Sequence, residues 1–371
     1  MNNSGFFFEV MMVITALCKV VDNFGDVGVV WRLCKNLISI NKDIEINLVI
    51  DDLISFNKIC KDVKIDSKYQ MVCGINIYDW KDYDFCYKEF STQDGYRLSV
   101  ILECFQCGRP DWMEKILFED KLERTSNIIM IDYLTAEKYA EDFHCLDSLT
   151  RSKKVKKINF MPGFTEKTGG LIIDDAWKEM KDWNPDGKIL VFTYERDWSP
   201  LAAALMKTGK KTQVAQGRGK DSFVAAANSI EYEIMPYLDQ EEWDKQMQNS
   251  SVLIIRGEET MSRACLSGIP FVWHAYPQSD EYQLVKVNAL LDRMSKHFKT
   301  EDFKKIRKVW LCFNSPENEV SNNEMEKACT EFLLSTESLV YGFKDFAADL
   351  RKNGDLCSNL MTFIEKKCII E

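Results

Sequence analysis

Apolar residues dominate positions 11–17, and Val30, Leu33, Cys34 and Leu37 then recur at spacings of three and four. The first pattern predicts a buried strand and the second the inner stripe of a helix. Farther on, Ile44, Ile46, Leu48 and Ile50 alternate with more polar residues before Asp51-Asp52 closes the run. A helical stretch over 53–61 follows, and positions 98–102 and 128–131 read as further strands. Strands alternating with helices predict βαβ units and a parallel sheet.

Turn residues cluster at Pro162-Gly163-Phe164-Thr165 and Gly169-Gly170, and the stretch 174–187 is polar. A second alternating series begins beyond it. Its predicted strands are 189–192, 212–215, 232–235, 252–255 and 271–273, with helices such as 201–207 and 258–266 between them. The tail over 339–367 reads as one or two helices. The predicted fold is α/β, with an N-terminal Rossmann-like domain over 1–172 and a second over 185–338. The C-terminal helices over 339–371 are expected to pack back toward the first domain. A ligand cleft between the two halves follows from the way such sheets bind at the carboxyl ends of their strands.

Length agrees with this division, since 371 residues exceed one ordinary core. With 46% hydrophobic and 29% charged residues, the composition is that of a globular protein. A net charge of −10 argues against a general nucleic-acid binder, which needs a basic face. The run Arg151-Ser152-Lys153-Lys154-Val155-Lys156-Lys157 is a local exception, read as a solvated loop. Thirteen cysteines, an odd number, sit largely in apolar runs and suit reduced thiols. The Cys104-Phe105-Gln106-Cys107 motif has no second half, so no zinc site is expected. Glu9 interrupts the apolar N-terminus, no basic segment precedes it, and no run is long enough for a membrane span. A cytoplasmic protein is the expectation.

Two turns carry candidate chemistry. Val21-Asp22-Asn23-Phe24-Gly25-Asp26-Val27-Gly28 joins the first strand to its helix with two aspartates. Carboxylates there suit a cationic or hydroxylic substrate, or proton transfer, better than a phosphate. Arg256-Gly257-Glu258-Glu259-Thr260 repeats the strand, turn, helix order in the second half. Backbone N–H groups at that helix start, with Arg256, suit a diphosphate. Equally, Glu258 and Glu259 can simply complement the helix dipole with Arg256 as their partner. Phe192 and Tyr194 end a strand, and Phe192 with Trp243 can sandwich a nucleobase or serve the core. His144, His274 and His297 show no metal or triad spacing, and Asp82-Tyr83-Asp84 reads as a polar loop.

These motifs, taken in order, resemble the EarP family, the protein-arginine rhamnosyltransferases that modify elongation factor P. The resemblance rests on the 21–28 turn with Trp31-Arg32-Leu33, on Asp51-Asp52-Leu53 with Ser55-Phe56, and on Met161-Pro162-Gly163-Phe164-Thr165 with Thr168-Gly169-Gly170. Arg256-Gly257-Glu258 and Pro270-Phe271-Val272-Trp273-His274 with Tyr276-Pro277-Gln278 complete it. It implies a GT-B fold, two Rossmann-like domains facing a central cleft. It also implies dTDP-β-L-rhamnose as donor, transfer with inversion to an arginine of elongation factor P, and no metal or other cofactor.

By the same resemblance, Asp22, Asp26 and Glu258 are the catalytic carboxylates. Asn23, Phe24 and Gly25 accompany the acids in their turn. Phe192, Tyr194, Gln240, Trp243, Arg256, Gly257, Glu259 and Thr260 are the expected donor contacts. The family usually has Asp-Ser where this chain has Glu259-Thr260, and Phe or Tyr where it has Trp243. These departures put a side-chain contact from Glu259 in doubt and leave the acids untouched. Asp26 is expected to act as base, Asp22 to polarise the acceptor guanidinium and Glu258 to orient it. The competing expectations are a GT-B transferase for a small-molecule or glycan acceptor and a non-catalytic nucleotide-sugar-binding regulator.

Overall fold

The computed structural model describes residues 12–21, 24–92, 96–120, 122–228 and 230–368. The first unit opens with β1 (Met12–Cys18), α1 (Phe24–Ile40), β2 (Ile44–Ile50) and α2 (Leu53–Ile59). A hairpin of β3 (Tyr69–Val72) and β4 (Ile75–Asp79) leads into α3 (Tyr83–Phe90) and β5 (Val100–Cys104). There follow α4 (Asp111–Phe118), β6 (Ser126–Ile131), α5 (Tyr139–Phe143), β7 (Asp147–Ser148) and β8 (Val155–Phe160). These strands form one sheet in the order β3-β4-β2-β1-β5-β6-β8-β7, parallel except for the edge strands β3 and β7.

The second unit comprises β9 (Ile189–Val191), α6 (Ser199–Met206), β10 (Thr212–Val214), α7 (Lys220–Ala226) and β11 (Tyr232–Ile234). It continues through α8 (Gln240–Gln248), β12 (Val252–Arg256), α9 (Glu258–Ser267) and β13 (Phe271–His274). Its sheet is wholly parallel, in the order β11-β10-β9-β12-β13. Helices α10 (Tyr282–Met294), α11 (Thr300–Asn314), α12 (Asn322–Leu333), α13 (Thr336–Arg351) and α14 (Leu356–Cys368) end the chain.

Parallel strands covered on both faces need apolar residues on both, and β1 supplies them. Ile14, Ala16 and Cys18 join one core cluster, while Leu17 points into the other. Helix α1 lays Val27, Val30, Leu33, Cys34 and Leu37 on the first of these cores, the stripe that its apolar spacing predicts. Asp52 caps α2, accepting from the N–H groups of Ile54 and Ser55, an arrangement worth about 1 kcal/mol. Phe56 on that helix meets Trp31 edge to face at 5.0 Å. The Asp51-Asp52-Ser55-Phe56 motif is thus structural, and Asp51 also holds the Val20 N–H at 2.8 Å.

Among the elements that the sequence reading misses are a hairpin and a strand of the first sheet. The β3–β4 hairpin turns at Cys73-Gly74, both at positive φ, a pair outside the usual Asn-Gly signal. Strand β8 hides in the basic run, because Lys156 and Lys157 obscure the apolar residues Val155, Ile158 and Phe160 that the core takes up. The strand expected over 98–102 begins at Val100, since Tyr96–Leu98 form a 3-10 turn.

The tail divides between the two units. Helix α13 places Leu339, Phe343, Phe346 and Leu350 in the core of the second. Helix α14 crosses back and buries Leu356, Cys357, Leu360, Met361 and Ile364 beside α1. Asp355, at the crossing, accepts from Asn36 at 3.0 Å and from the Ile173 N–H at 2.7 Å. The expectation that the whole segment 339–371 packs toward the first domain therefore holds for α14 and not for α13, whose apolar stripe faces the second core.

Candidate active site

In the first sheet the strand order reverses at β1, with β2 on one side and β5 on the other. Such a switch point opens a crevice at the carboxyl ends of the strands. Asp26 stands there in the first turn of α1, 4% exposed, where a helix start favours a carboxylate. Its Oδ2 accepts the Val21 N–H at 2.8 Å, and its Oδ1 accepts the Tyr133 hydroxyl at 3.2 Å. Tyr133 follows β6 and stacks on Phe105, just past β5, at 4.5 Å between ring centres. Burial, and then the Asp26 charge, push the Tyr133 phenol up, so it stays a donor. Asp22 and Asn23 lie outside the described residues, and of Phe24 only its place as the first residue of α1 is described.

The facing wall is the β12–α9 turn. Gly257 adopts φ 78° and ψ 151°, a backbone that L side chains avoid, and this swings the chain directly from strand into helix. Glu258 opens α9 and is bonded at 3.1 Å by Lys286 of α10. Burial pushes its carboxyl up, Lys286 works against that, and Asp26 and Asp132 add to the rise. Gly25, Asp26, Asp132, Tyr133, Tyr194, Gly257, Glu258 and Lys286 line one cavity of about 510 Å³ between the two units. Glu258 keeps 28% of its side-chain accessibility, and as a lining residue it presents that surface to the cavity. Two of the three expected acids therefore share a chamber although 232 positions separate them in the chain (258 − 26).

In the second sheet the order reverses between β9 and β12, and Phe192 and Arg256 lie at the ends of these strands. The Arg256 guanidinium lies 4.4 Å from the Phe192 ring centre and 4.6 Å from that of Tyr194. Its Nε is buried without a hydrogen-bond partner. A buried, orphaned donor on a cation is a natural seat for an anion. Trp243 meets Phe192 edge to face at 5.1 Å and 68°. The two rings are neighbours rather than parallel walls, which corrects the sandwich expectation.

Tyr194 also donates its N–H to His274 Nδ1 at 3.3 Å. Burial, with Arg196 and Arg256 nearby, pushes that imidazole down to about 3, so it is neutral. A loop unremarked in the sequence reading, Gly217-Arg218-Gly219, passes beside these groups. A Cβ on Gly219 would lie 2.5 Å from the Thr193 carbonyl oxygen, so only glycine permits the approach. Arg218 reaches the cavity and lies 5.8 Å from the Tyr276 ring centre.

Three expected donor contacts stand differently. Glu259 bonds Arg32 Nε at 2.5 Å and approaches Arg263 at 3.7 Å. Arg32, 3% exposed on α1, also makes a bidentate pair with Asp244 of α8 at 2.8 and 3.0 Å and bonds Asp174. Burial opposes the Arg32 charge and the three carboxylates outweigh it. Gln240 donates to the Gly28 carbonyl at 2.9 Å. Glu259 and Gln240 thus tie α8 and α9 to α1, a role that Glu259 reaches with the extra methylene that Asp lacks. Thr260 is buried in the first turn of α9.

The remaining sequence features sit elsewhere. Asp82 caps α3 and pairs with Lys68 at 2.6 Å, so Asp82-Tyr83-Asp84 starts a helix rather than forming a loop. The basic run precedes and enters β8 at the amino end of the sheet, away from the cleft, with Arg151 paired to Glu114. None of the thirteen cysteines is in a disulfide, and burial pushes Cys107 up to about 12. Among the described residues, no group of three or more His, Cys, Asp or Glu is placed to hold a metal ion, and no helix is long and apolar enough to cross a membrane.

Residues 14–365 match the family model described as elongation factor P (EF-P) rhamnosyltransferase EarP. The protein-arginine rhamnosyltransferase of Shewanella oneidensis is 26% identical over 94% of this chain and 96% of its own length. That of Pseudomonas aeruginosa is 24% identical over 80% and 86%. Among solved structures, one reported for EarP-mediated arginine glycosylation of translation elongation factor EF-P superposes with a TM-score of 0.60 at 16% identity, covering 95% of this chain and 98% of that one. The spinosyn rhamnosyltransferase SpnG superposes with a TM-score of 0.53 at 9% identity, covering 95% and 100%. The fold is GT-B.

Proposed function

This chain belongs to the EarP family of arginine rhamnosyltransferases, and from that premise we propose that it transfers L-rhamnose from dTDP-β-L-rhamnose, with inversion, to an arginine of elongation factor P. One observation carries the reading: Asp26 and Glu258, from opposite domains, line the same cavity. Facing carboxylates are suited to a cationic acceptor, and most sugar acceptors are not cationic.

Arginine is a reluctant nucleophile, because its guanidinium is protonated below a pKa of about 12 and its lone pairs are delocalised. Paired carboxylates meet both difficulties by holding the cation and taking a proton as the bond forms. In the proposed step, a guanidinium nitrogen attacks the anomeric carbon of rhamnose from the face opposite the leaving group. The bond from that carbon to the diphosphate oxygen breaks, dTDP departs, and the nitrogen's proton passes to Asp26. Glu258 orients the guanidinium, and Asp22 is assigned to polarise it.

Arg256, with its unpartnered buried Nε, and the amide groups at the start of α9 are suited to the departing diphosphate. The proposal includes no metal, since cationic side chains at the cleft supply the charge a leaving diphosphate needs. A translation factor as acceptor sets the reaction in the cytoplasm. Intact-mass analysis of elongation factor P incubated with this protein and dTDP-rhamnose tests the reading. A gain of one deoxyhexose mapped to an arginine is expected. An unmodified acceptor in the presence of intact donor would overturn it.

A further inference from the structure

The sequence motifs account for both described acids but not for Tyr133 and Lys286, the side chains that bond them. Lys286 lies in α10, outside every motif identified, yet its Nζ bonds Glu258 Oε1 at 3.1 Å and it lines the cavity. The helix that carries it is seated firmly, with Val287, Leu290 and Leu291 buried in the second core. The ammonium is therefore aimed at Glu258 by packing. The pair lies at the cleft with 25% and 28% of the Lys286 and Glu258 side chains exposed.

We propose that Lys286 is a positioning residue for the acceptor arginine, holding Glu258 ionised and oriented so that its second oxygen can bond the incoming guanidinium. The inference rests on the arginine rhamnosyl transfer argued above. The reason is electrostatic. Carboxylates facing one another in a cleft tend to share a proton, and that proton cancels one of the negative charges that would hold the cation.

Asp26 of α1, Asp132 and Tyr133 after β6, Lys286 of α10 and Arg218 before α7 share the lining of the cavity with Glu258. Asp26 and Asp132 both favour protonation of Glu258, as burial does, and Lys286 opposes them. Lys286 thus works against the acid of the second domain taking the proton, favouring Asp26 as the group that receives one from the acceptor. An arginine at position 286 would keep the charge, whereas methionine would keep only the stem.

The test compares wild type, Lys286→Met and Lys286→Arg. The carboxyl of Glu258 is titrated by carbon NMR in the protein alone, assigned with Glu258→Gln. The pH–rate profile of rhamnosylation is then measured under acceptor-limiting conditions. In Lys286→Met, the Glu258 titration and the acid limb of kcat/KM for the acceptor should both move to higher pH by about one unit or more. The acceptor KM should rise roughly tenfold with donor KM unchanged, and Lys286→Arg should restore most of the difference. An unmoved Glu258 titration overturns the inference whatever the wild type catalyses. A rise confined to donor KM, with the acid limb unmoved, overturns it as well and assigns Lys286 to the diphosphate. A wild type with no transferase activity would refute the proposed function, and the titration would still decide whether Lys286 controls Glu258.

Discussion

The Tyr133 hydroxyl donates to Asp26 Oδ1 at 3.2 Å, while Oδ2 of the same carboxylate accepts the Val21 N–H. The tyrosine is set in place by its stack on Phe105, whose backbone sits at φ 57° in the turn after β5. Three parts of the first sheet, the ends of β1, β5 and β6, therefore meet at one acid.

This geometry predicts graded losses. Asp26→Asn removes the proposed proton acceptor and should lower single-turnover rhamnosylation at least ~10²-fold with donor affinity intact. Tyr133→Phe removes one hydrogen bond to a charged group and should cost roughly tenfold in rate. Rapid-quench kinetics, paired with calorimetric dTDP binding, separate the two effects. A Tyr133→Phe enzyme with wild-type rate would show that the hydroxyl is not needed to hold the carboxylate.

Arg32 is expected to matter for cohesion between the domains. Replacing it with Met strands the carboxylates of Asp174, Asp244 and Glu259 in a poorly hydrated interface, at a cost of about 3–5 kcal/mol. The triple change Arg32→Met, Asp244→Asn, Glu259→Gln removes two of the three stranded charges, leaving that of Asp174, and should recover much of the loss. Urea midpoints of the two variants provide the comparison, and equal midpoints would refute the account.

Arg256 is predicted to resist substitution by lysine. Its planar guanidinium spans Phe192 and Tyr194 at 4.4 and 4.6 Å, and an ammonium cannot stack in that way. Both Arg256→Lys and Arg256→Gln should weaken dTDP binding by about 10²-fold, equivalent to roughly 2–3 kcal/mol. Titration calorimetry would reveal a lysine variant that binds normally, which would reduce the role of the arginine to charge alone.

His274 should make stability depend on pH. Its folded value, about 3, lies below the ordinary imidazole value, so the unfolded chain binds the proton more readily. The stability contribution is complete above about pH 6.5 and is lost progressively as pH falls toward 3. Between pH 7 and pH 5 that loss is on the order of 2 kcal/mol. Asparagine can present an oxygen to the Tyr194 N–H without titrating, so His274→Asn should flatten the dependence. Denaturation midpoints that fall in parallel for both proteins would assign the effect to other groups.

Much of the architecture is written in local pattern. The apolar stripe of α1, the alternation along β2 and the repeated order of strand, turn and helix before Asp26 and Glu258 depend on near neighbours, so periodicity reveals them. The hairpin at Cys73-Gly74 and strand β8 were not legible because their signals are unusual: a rare turn pair in one, lysines over a buried face in the other. The GT-B pairing of the domains was what the family resemblance implied, and the structural likeness bears it out.

By itself, the sequence determined the two parallel-sheet units, the acidic segment 21–28 and the segment Arg256–Thr260, because each is encoded in local pattern. Tertiary structure alone decided which side chains meet. It brought Asp26 and Glu258 to one cavity, added Tyr133, Asp132 and Lys286 to their surroundings, and diverted Glu259 and Gln240 to the seam with α1. These pairings join positions more than a hundred residues apart, or on elements whose relative placement depends on the packing of the two cores. No local spacing can encode a contact that exists only when two folded sheets face one another.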